Sequence, residues 1–178
     1  VEIKFSESTL LDDLFLRIER KKNGNGPSIR INSPSEYLQS NMEVLIRNTG
    51  FTGDKKNTHI YFQADNGRKS FVGGEWENED IRFKTRNFGT FVLDVDKTAP
   101  TIAPIRVNTA EMRFVIKDDK SGIKDFEAYV DGKWILMRYE HKQSVIWSEK
   151  LDKQPFKGEV LLVVRDMAGN EKRYTTKL

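Results

Sequence analysis

The sequence contains no cysteine. Disulfide frameworks and cysteine-ligated zinc sites are therefore excluded, and thiols carry no information about redox compartment. Long apolar runs are also missing: none approaches the about 20 residues that a membrane-spanning helix needs. Basic residues are scattered among acidic ones, with 30 Lys and Arg against 27 Asp and Glu and a formal net charge of +3. The longest basic run is Arg20-Lys21-Lys22, in a Gly- and Asn-rich stretch, so the basic stripe of a nucleic-acid binder is not present. Helical periodicity is almost absent, and neither a phosphate-cradling loop nor a G-x-S-x-G nucleophile motif occurs.

The chain is rich in short alternating runs bounded by turn residues, and it carries eleven Phe, five Tyr and three Trp in 178 residues. That content supports small hydrophobic cores and argues against disorder. The pattern predicts an all-β protein of two consecutive β-sandwich modules, residues 1–96 and 97–178. Strands are expected around Leu14–Glu19, Met42–Ile46, Thr58–Phe62, Ser70–Val72, Ile81–Phe83 and Thr90–Val95. The stretch Ser8–Asp13 reads as a helical turn capped by Ser8. A short, stiff linker is expected at Asp94–Pro100, because Pro100 holds Ala99 extended and Pro104 repeats the interruption. The chain begins at Val1 rather than at an initiator methionine, which reads as an excised fragment or a mature product.

Beyond the linker, seven strand candidates fall in about 75 residues, the density of an immunoglobulin-like sandwich. They are Ile102–Val107, Met112–Ile116, Phe126–Val130, Lys133–Met137, Val145–Trp147, Glu159–Arg165 and Lys172–Thr176. Asp131-Gly132 between two apolar runs is a two-residue hairpin signal, since both central residues of a type I′ turn need positive φ. Asp118 and Asp166 are read as turn formers, whose carboxylates accept backbone N–H groups before Gly122 and Gly169.

Several functional readings compete with structural ones. His59 is expected to face solvent or to meet a backbone carbonyl. Trp134 and Trp147 are expected in the core, whereas Trp76, in the polar stretch Gly73–Glu79, is the best candidate for an exposed aromatic, although packing against a strand edge is favoured over sugar stacking. The paired acids Asp12-Asp13 and Glu75 with Glu77 read as surface carboxylates rather than a glycosidase pair. For calcium, Asp94, Asp96, Asp118, Asp119 and Asp166 offer oxygens, but Asp118–Gly122 lacks the alternating spacing of an EF-hand and inserts Lys120 among the ligands.

Four segments together carry a family resemblance: Asp96–Ile102, Asp118–Ile123, Asp131–Ile135 and Asp166–Asn170. They resemble the bacterial Ig-like modules with a D-x-x-AP, D-x-SGI and D-x-AGN pattern. With the preceding FGTFVLDVDKTAP, they look like the C-terminal noncatalytic β-sandwich region of lysostaphin-type (LytM-like) zinc metallopeptidases of Gram-negative bacteria. The likeness covers residues 86–178 best and rests on STLLDDLFLRIERK in the first part. It implies a periplasmic, cell-surface or secreted accessory region, associated with peptidoglycan and with an upstream peptidase domain, which it positions or stabilises. The peptidase's H-x-x-x-D and H-x-H zinc pairs have no counterpart here: Gln63 stands four residues after His59 and Val145 four after His141. No residue is therefore assigned to catalysis, to a cofactor or to a metal, and this chain is not expected to be an enzyme. The alternative is a free-standing extracellular module that binds a glycan or a protein.

Because the acids read as turn chemistry, adding calcium or a chelator is expected to leave the melting temperature unchanged. A calcium-dependent rise of several degrees in a thermal scan would overturn that assignment.

Overall fold

The computed structural model describes residues 1–7, 9–10, 14–23, 26–32, 38–150 and 154–178. The helical turn expected at Ser8–Asp13 lies largely outside the described residues, as do Asp12, Asp13, Gly24 and Asn25. The protein is all-β, and its strands form four antiparallel sheets, two in each of the compact units Val1–Asp96 and Lys97–Leu178.

In the first unit, β1 (Glu2–Lys4), β4 (Met42–Ile46), β8 (Asp80–Thr85) and β7 (Glu75–Glu77) form one sheet in the order β1-β4-β8-β7. The second sheet has the order β2-β3-β9-β5-β6. Its strands are β2 (Arg17–Asn23), β3 (Gly26–Asn32), β9 (Gly89–Val95), β5 (Thr58–Gln63) and β6 (Lys69–Gly73). Side chains alternate across a pleated strand, so β4 and β8 deliver Met42, Val44, Ile46, Ile81 and Phe83 to the inside. From the facing sheet come Ile29, Ile31, Ile60, Phe91 and Leu93. The Phe83 and Phe91 rings, 5.1 Å apart, join the two sheets.

The second unit repeats the scheme with β10 (Thr101–Val107), β11 (Met112–Lys117), β15 (Val145–Ser148) and β14 (Met137–Glu140) in the order β10-β11-β15-β14. Facing them are β13 (Lys133–Ile135), β12 (Ile123–Val130), β16 (Glu159–Asp166) and β17 (Glu171–Lys177), in the order β13-β12-β16-β17. Met112, Phe114, Ile116 and Ile146 pack against Ala128, Val130, Val160, Leu162 and Val164. Phe114 also meets Tyr174 edge-on at 5.2 Å. The β12–β13 hairpin closes through Asp131 (φ 47) and Gly132 (φ 73), the two positive φ values that a type I′ turn requires.

The expected single strand Lys133–Met137 is in fact two. After Ile135 only Leu136 intervenes before β14 begins, and the chain passes from one sheet of the sandwich to the other. The Leu136 carbonyl is held by the Glu149 N–H at 2.8 Å. Strands β1, β3 and β7 carry no expectation from the sequence. In β3, Pro27 sits one residue inside the strand end, opposite Lys22. The expected strand at Leu14–Glu19 begins only at Arg17.

Phe91 is fully buried among Phe62, Phe83 and the β4 and β8 side chains. Phe91→Ala leaves a cavity that neighbouring β-strands fill poorly, and is expected to destabilise the first unit by about 3–5 kcal/mol in urea unfolding. A loss below about 1 kcal/mol would mean that the sandwich core is looser than described.

Candidate ligand-binding face

The outer surface of the β13-β12-β16-β17 sheet is set by register. Val130 and Ala128 face the core, so Tyr129 between them faces outward; its cross-strand partner on β13 is Trp134 and its partner on β16 is Leu161. Leu161 in turn pairs with Thr175 on β17. Directly paired residues share a face, and Trp134, Tyr129, Leu161 and Thr175 thus form one row across four strands. Trp134 is 58% exposed.

Beside this row runs an open groove of about 810 Å³ lined by Tyr129, Asp131, Gly132, Glu159, Leu161, Arg173 and Thr175. A second groove of about 540 Å³ shares Asp131, Glu159 and Thr175 and continues over Gly158 and Lys177. The hairpin end is fastened to β16: the Asp131 N–H donates to the Glu159 carbonyl, and the Glu159 N–H donates to Asp131 Oδ1, both at 2.8 Å. Gly158 admits this contact, because with φ +110 a Cβ there would lie 2.0 Å from Asp131 Oδ1.

Further along the same face lies an ionic cluster. Arg165 reaches Asp125 at 3.0 Å, Glu127 at 3.2 Å and Glu171 at 2.8 Å, and Arg173 donates to Glu171 at 2.7 Å. These carboxylates push the Arg165 guanidinium above its ordinary range, and the Arg173 hydrogen bond, with Arg165 behind it, holds Glu171 below the usual carboxylate range.

Trp134 and Trp147 are not in the core as expected, whereas Trp76 takes the favoured, packed reading. Trp76 is not a solvent-facing aromatic: it lies in β7, packs against the first unit's core, stacks on Phe51 at 5.6 Å and donates its indole N–H to the Thr58 carbonyl at 2.8 Å. The alternation Glu75-Trp76-Glu77 points the acids out and the indole in. Trp147 is half-buried on the outer face of the other sheet of the second unit. It is paired in register with Arg113 and Arg138, with the Arg113 guanidinium 6.0 Å from its ring. Trp134, expected in the core, is the exposed one, because Ile135 and not Trp134 occupies the inward position on β13.

The acids behave as turn formers. Asp118 Oδ2 accepts the N–H groups of Lys120, Ser121 and Gly122 at 3.1, 2.8 and 2.7 Å. Buried Asp166 accepts the Asn170 backbone N–H and side-chain amide, both at 2.8 Å. The Met167 N–H donates to the Gly122 carbonyl, tying the two turns together. One oxygen of Asp118 and one of Asp166 lie within 4.8 Å of each other, so this end of the sandwich could offer two oxygens to a hard cation, of the six to eight that calcium takes.

In the first unit, Asp94 pairs with Lys69 at 2.7 Å, and Asp96 is buried with its N–H on the Asn57 carbonyl. Gly73 ends β6, and Gly74, with φ 129, links it to β7. His59 neither faces solvent through its ring nitrogens nor meets a carbonyl: both nitrogens are buried without a hydrogen-bond partner among the described residues, and the ring packs 5.3 Å from Phe71. His141 is exposed beside Tyr139.

A family model described as a Zu5-like domain matches residues 1–96, the span of the first compact unit. No curated protein matches the chain.

Asp118→Ala leaves three turn N–H groups without their acceptor and is expected to destabilise the second unit by about 2 kcal/mol in urea unfolding. An unchanged unfolding midpoint would show that the Ser121–Gly122 turn is held by other contacts.

Proposed function

The chain belongs to the Zu5-like domain family through residues 1–96; on the separate resemblance carried by residues 86–178, we propose that it is a noncatalytic accessory region of an extracytoplasmic, cell-wall-associated protein. Its two β-units position or stabilise a lysostaphin-type peptidase domain against peptidoglycan. The observation that carries this reading is the use made of the residues behind the sequence resemblance. Asp118, Asp131 and Asp166 all direct their carboxylates at backbone N–H groups of the second unit. Such residues make a stiff module and perform no chemistry of their own, which is the role of a scaffold. The proposed location, periplasmic, cell-surface or secreted, rests on the same resemblance.

The second reading, a free-standing extracellular binding module, is favoured by exposed Trp134 beside Tyr129.

The two readings separate in one comparison. In the complete reading frame that contains this chain, zinc-dependent hydrolysis of intact sacculi is measured with and without residues 1–178. The positioning role predicts a drop of about tenfold or more on sacculi, with turnover of a short soluble peptide unchanged. Equal hydrolysis of sacculi by both proteins, or no peptidase activity in the complete protein, would sink it.

A further inference from the structure

We propose that the Trp134 face of the second unit is a binding platform for a linear, uncharged saccharide. This gives a ligand class to the cell-wall reading above, which supplies only the choice of probe.

The first argument is that the fold does not need these side chains where they are. The inward positions of β12, β13 and β16 are filled by Ala128, Val130, Ile135, Val160 and Leu162. Tyr129, Trp134 and Leu161 stand on the opposite side of the same strands, with Trp134 58% exposed. A tryptophan kept in water beside a tyrosine and a leucine forms a flat apolar strip that contributes little to the core. Such a strip is suited to a ligand that has a flat apolar side.

The second argument is shape. The two grooves share Asp131, Glu159 and Thr175 and run on past Gly158 to Lys177. The result is an open track rather than an enclosed cavity; it starts at Tyr129, Leu161 and Thr175 of the row and leads toward the hairpin end, with Trp134 outside its lining. A track receives a chain of repeating units; a closed cavity receives a single small molecule.

The third argument is charge. The larger groove is lined by two acids, Asp131 and Glu159, and one base, Arg173; the smaller by the same two acids and Lys177. Over both grooves two acids face two bases, so the track lacks the excess of Lys and Arg that would hold a polyanion such as a nucleic acid. An uncharged polyhydroxylated chain fits it, since carboxylates accept hydroxyl protons while Arg173 and Lys177 donate to hydroxyl oxygens. A pyranose ring combines the two requirements: one face of C–H groups to lie on Trp134 and Tyr129, and a rim of hydroxyls to meet the charged side chains.

The test titrates the full chain with chitotetraose, a soluble β-1,4-linked N-acetylglucosamine tetramer, following tryptophan fluorescence and backbone amide resonances. Wild type is expected to bind in the millimolar range or tighter, with shifts confined to β12, β13, β16 and β17. Trp134→Ala, an exposed substitution, should bind at least about tenfold more weakly, and Tyr129→Ala should weaken binding as well. Trp147→Phe, on the other sheet, should bind as wild type does. The proposal fails if saturating chitotetraose shifts no resonance on this face, or if Trp134→Ala and wild type bind equally. It also fails if Trp134→Ala abolishes instead a concentration-dependent self-association seen by sedimentation, which would make a second copy the occupant. Trp134-dependent binding together with unchanged sacculus hydrolysis on removal of residues 1–178 would leave this inference standing and remove the positioning role. The converse results would do the reverse.

Discussion

Each unit depends on one constraint: the inner faces of two antiparallel sheets must be apolar, and a strand shows only every second residue to that interior. Once Phe114, Val130, Ile146 and Leu162 are committed inward, the outward residues are determined as well. The aromatic row, the ionic cluster around Arg165 and the Arg113-Trp147-Arg138 ladder are all consequences of where the core residues fall. A one-residue slip in β13 would bury Trp134 and expose Ile135. The Asp131-Gly132 turn, fastened to β16 by two 2.8 Å hydrogen bonds, prevents it.

The same constraint explains what could be read in the chain and what could not. Strands whose inner residues are all apolar, such as Met42–Ile46 and Met112–Ile116, were legible even though Leu45 and Val115 interrupt the alternation. Strand β3 was hidden by Pro27, which reads as a breaker but stands near a strand end where its missing N–H disrupts little. Strand β7 is three residues long, too short for any periodicity to register. The turn acids were legible because Asp followed by Ser-Gly or by Ala-Gly-Asn has a local mechanism that needs no knowledge of the rest of the fold.

Trp134 and Trp147 were misread for a reason that is itself physical. Residue type suggested burial for Trp134, and polar neighbours kept exposure open for Trp76, whereas register decides both. A two-residue hairpin pairs Val130 with Lys133 and therefore Tyr129 with Trp134. Given an inward Val130, Trp134 had to be outside. The alternation Glu75-Trp76-Glu77 held the complementary answer. Half-buried His59, whose ring lies against Phe71, had no such signal, since nothing in Thr58–Gln63 marks that side of the sheet as covered.

The passage of the chain from β13 to β14 has a mechanical consequence. A three-residue edge strand bearing an exposed aromatic would, alone, peel from its neighbour when the aromatic is pulled, one hydrogen bond at a time. Here the strand is followed after a single residue by another that is embedded in the opposite sheet, with Leu136 clamped by Glu149 between them. A load on Trp134 is therefore passed through Leu136 to β14, so that the edge strand cannot peel away without drawing on the opposite sheet as well.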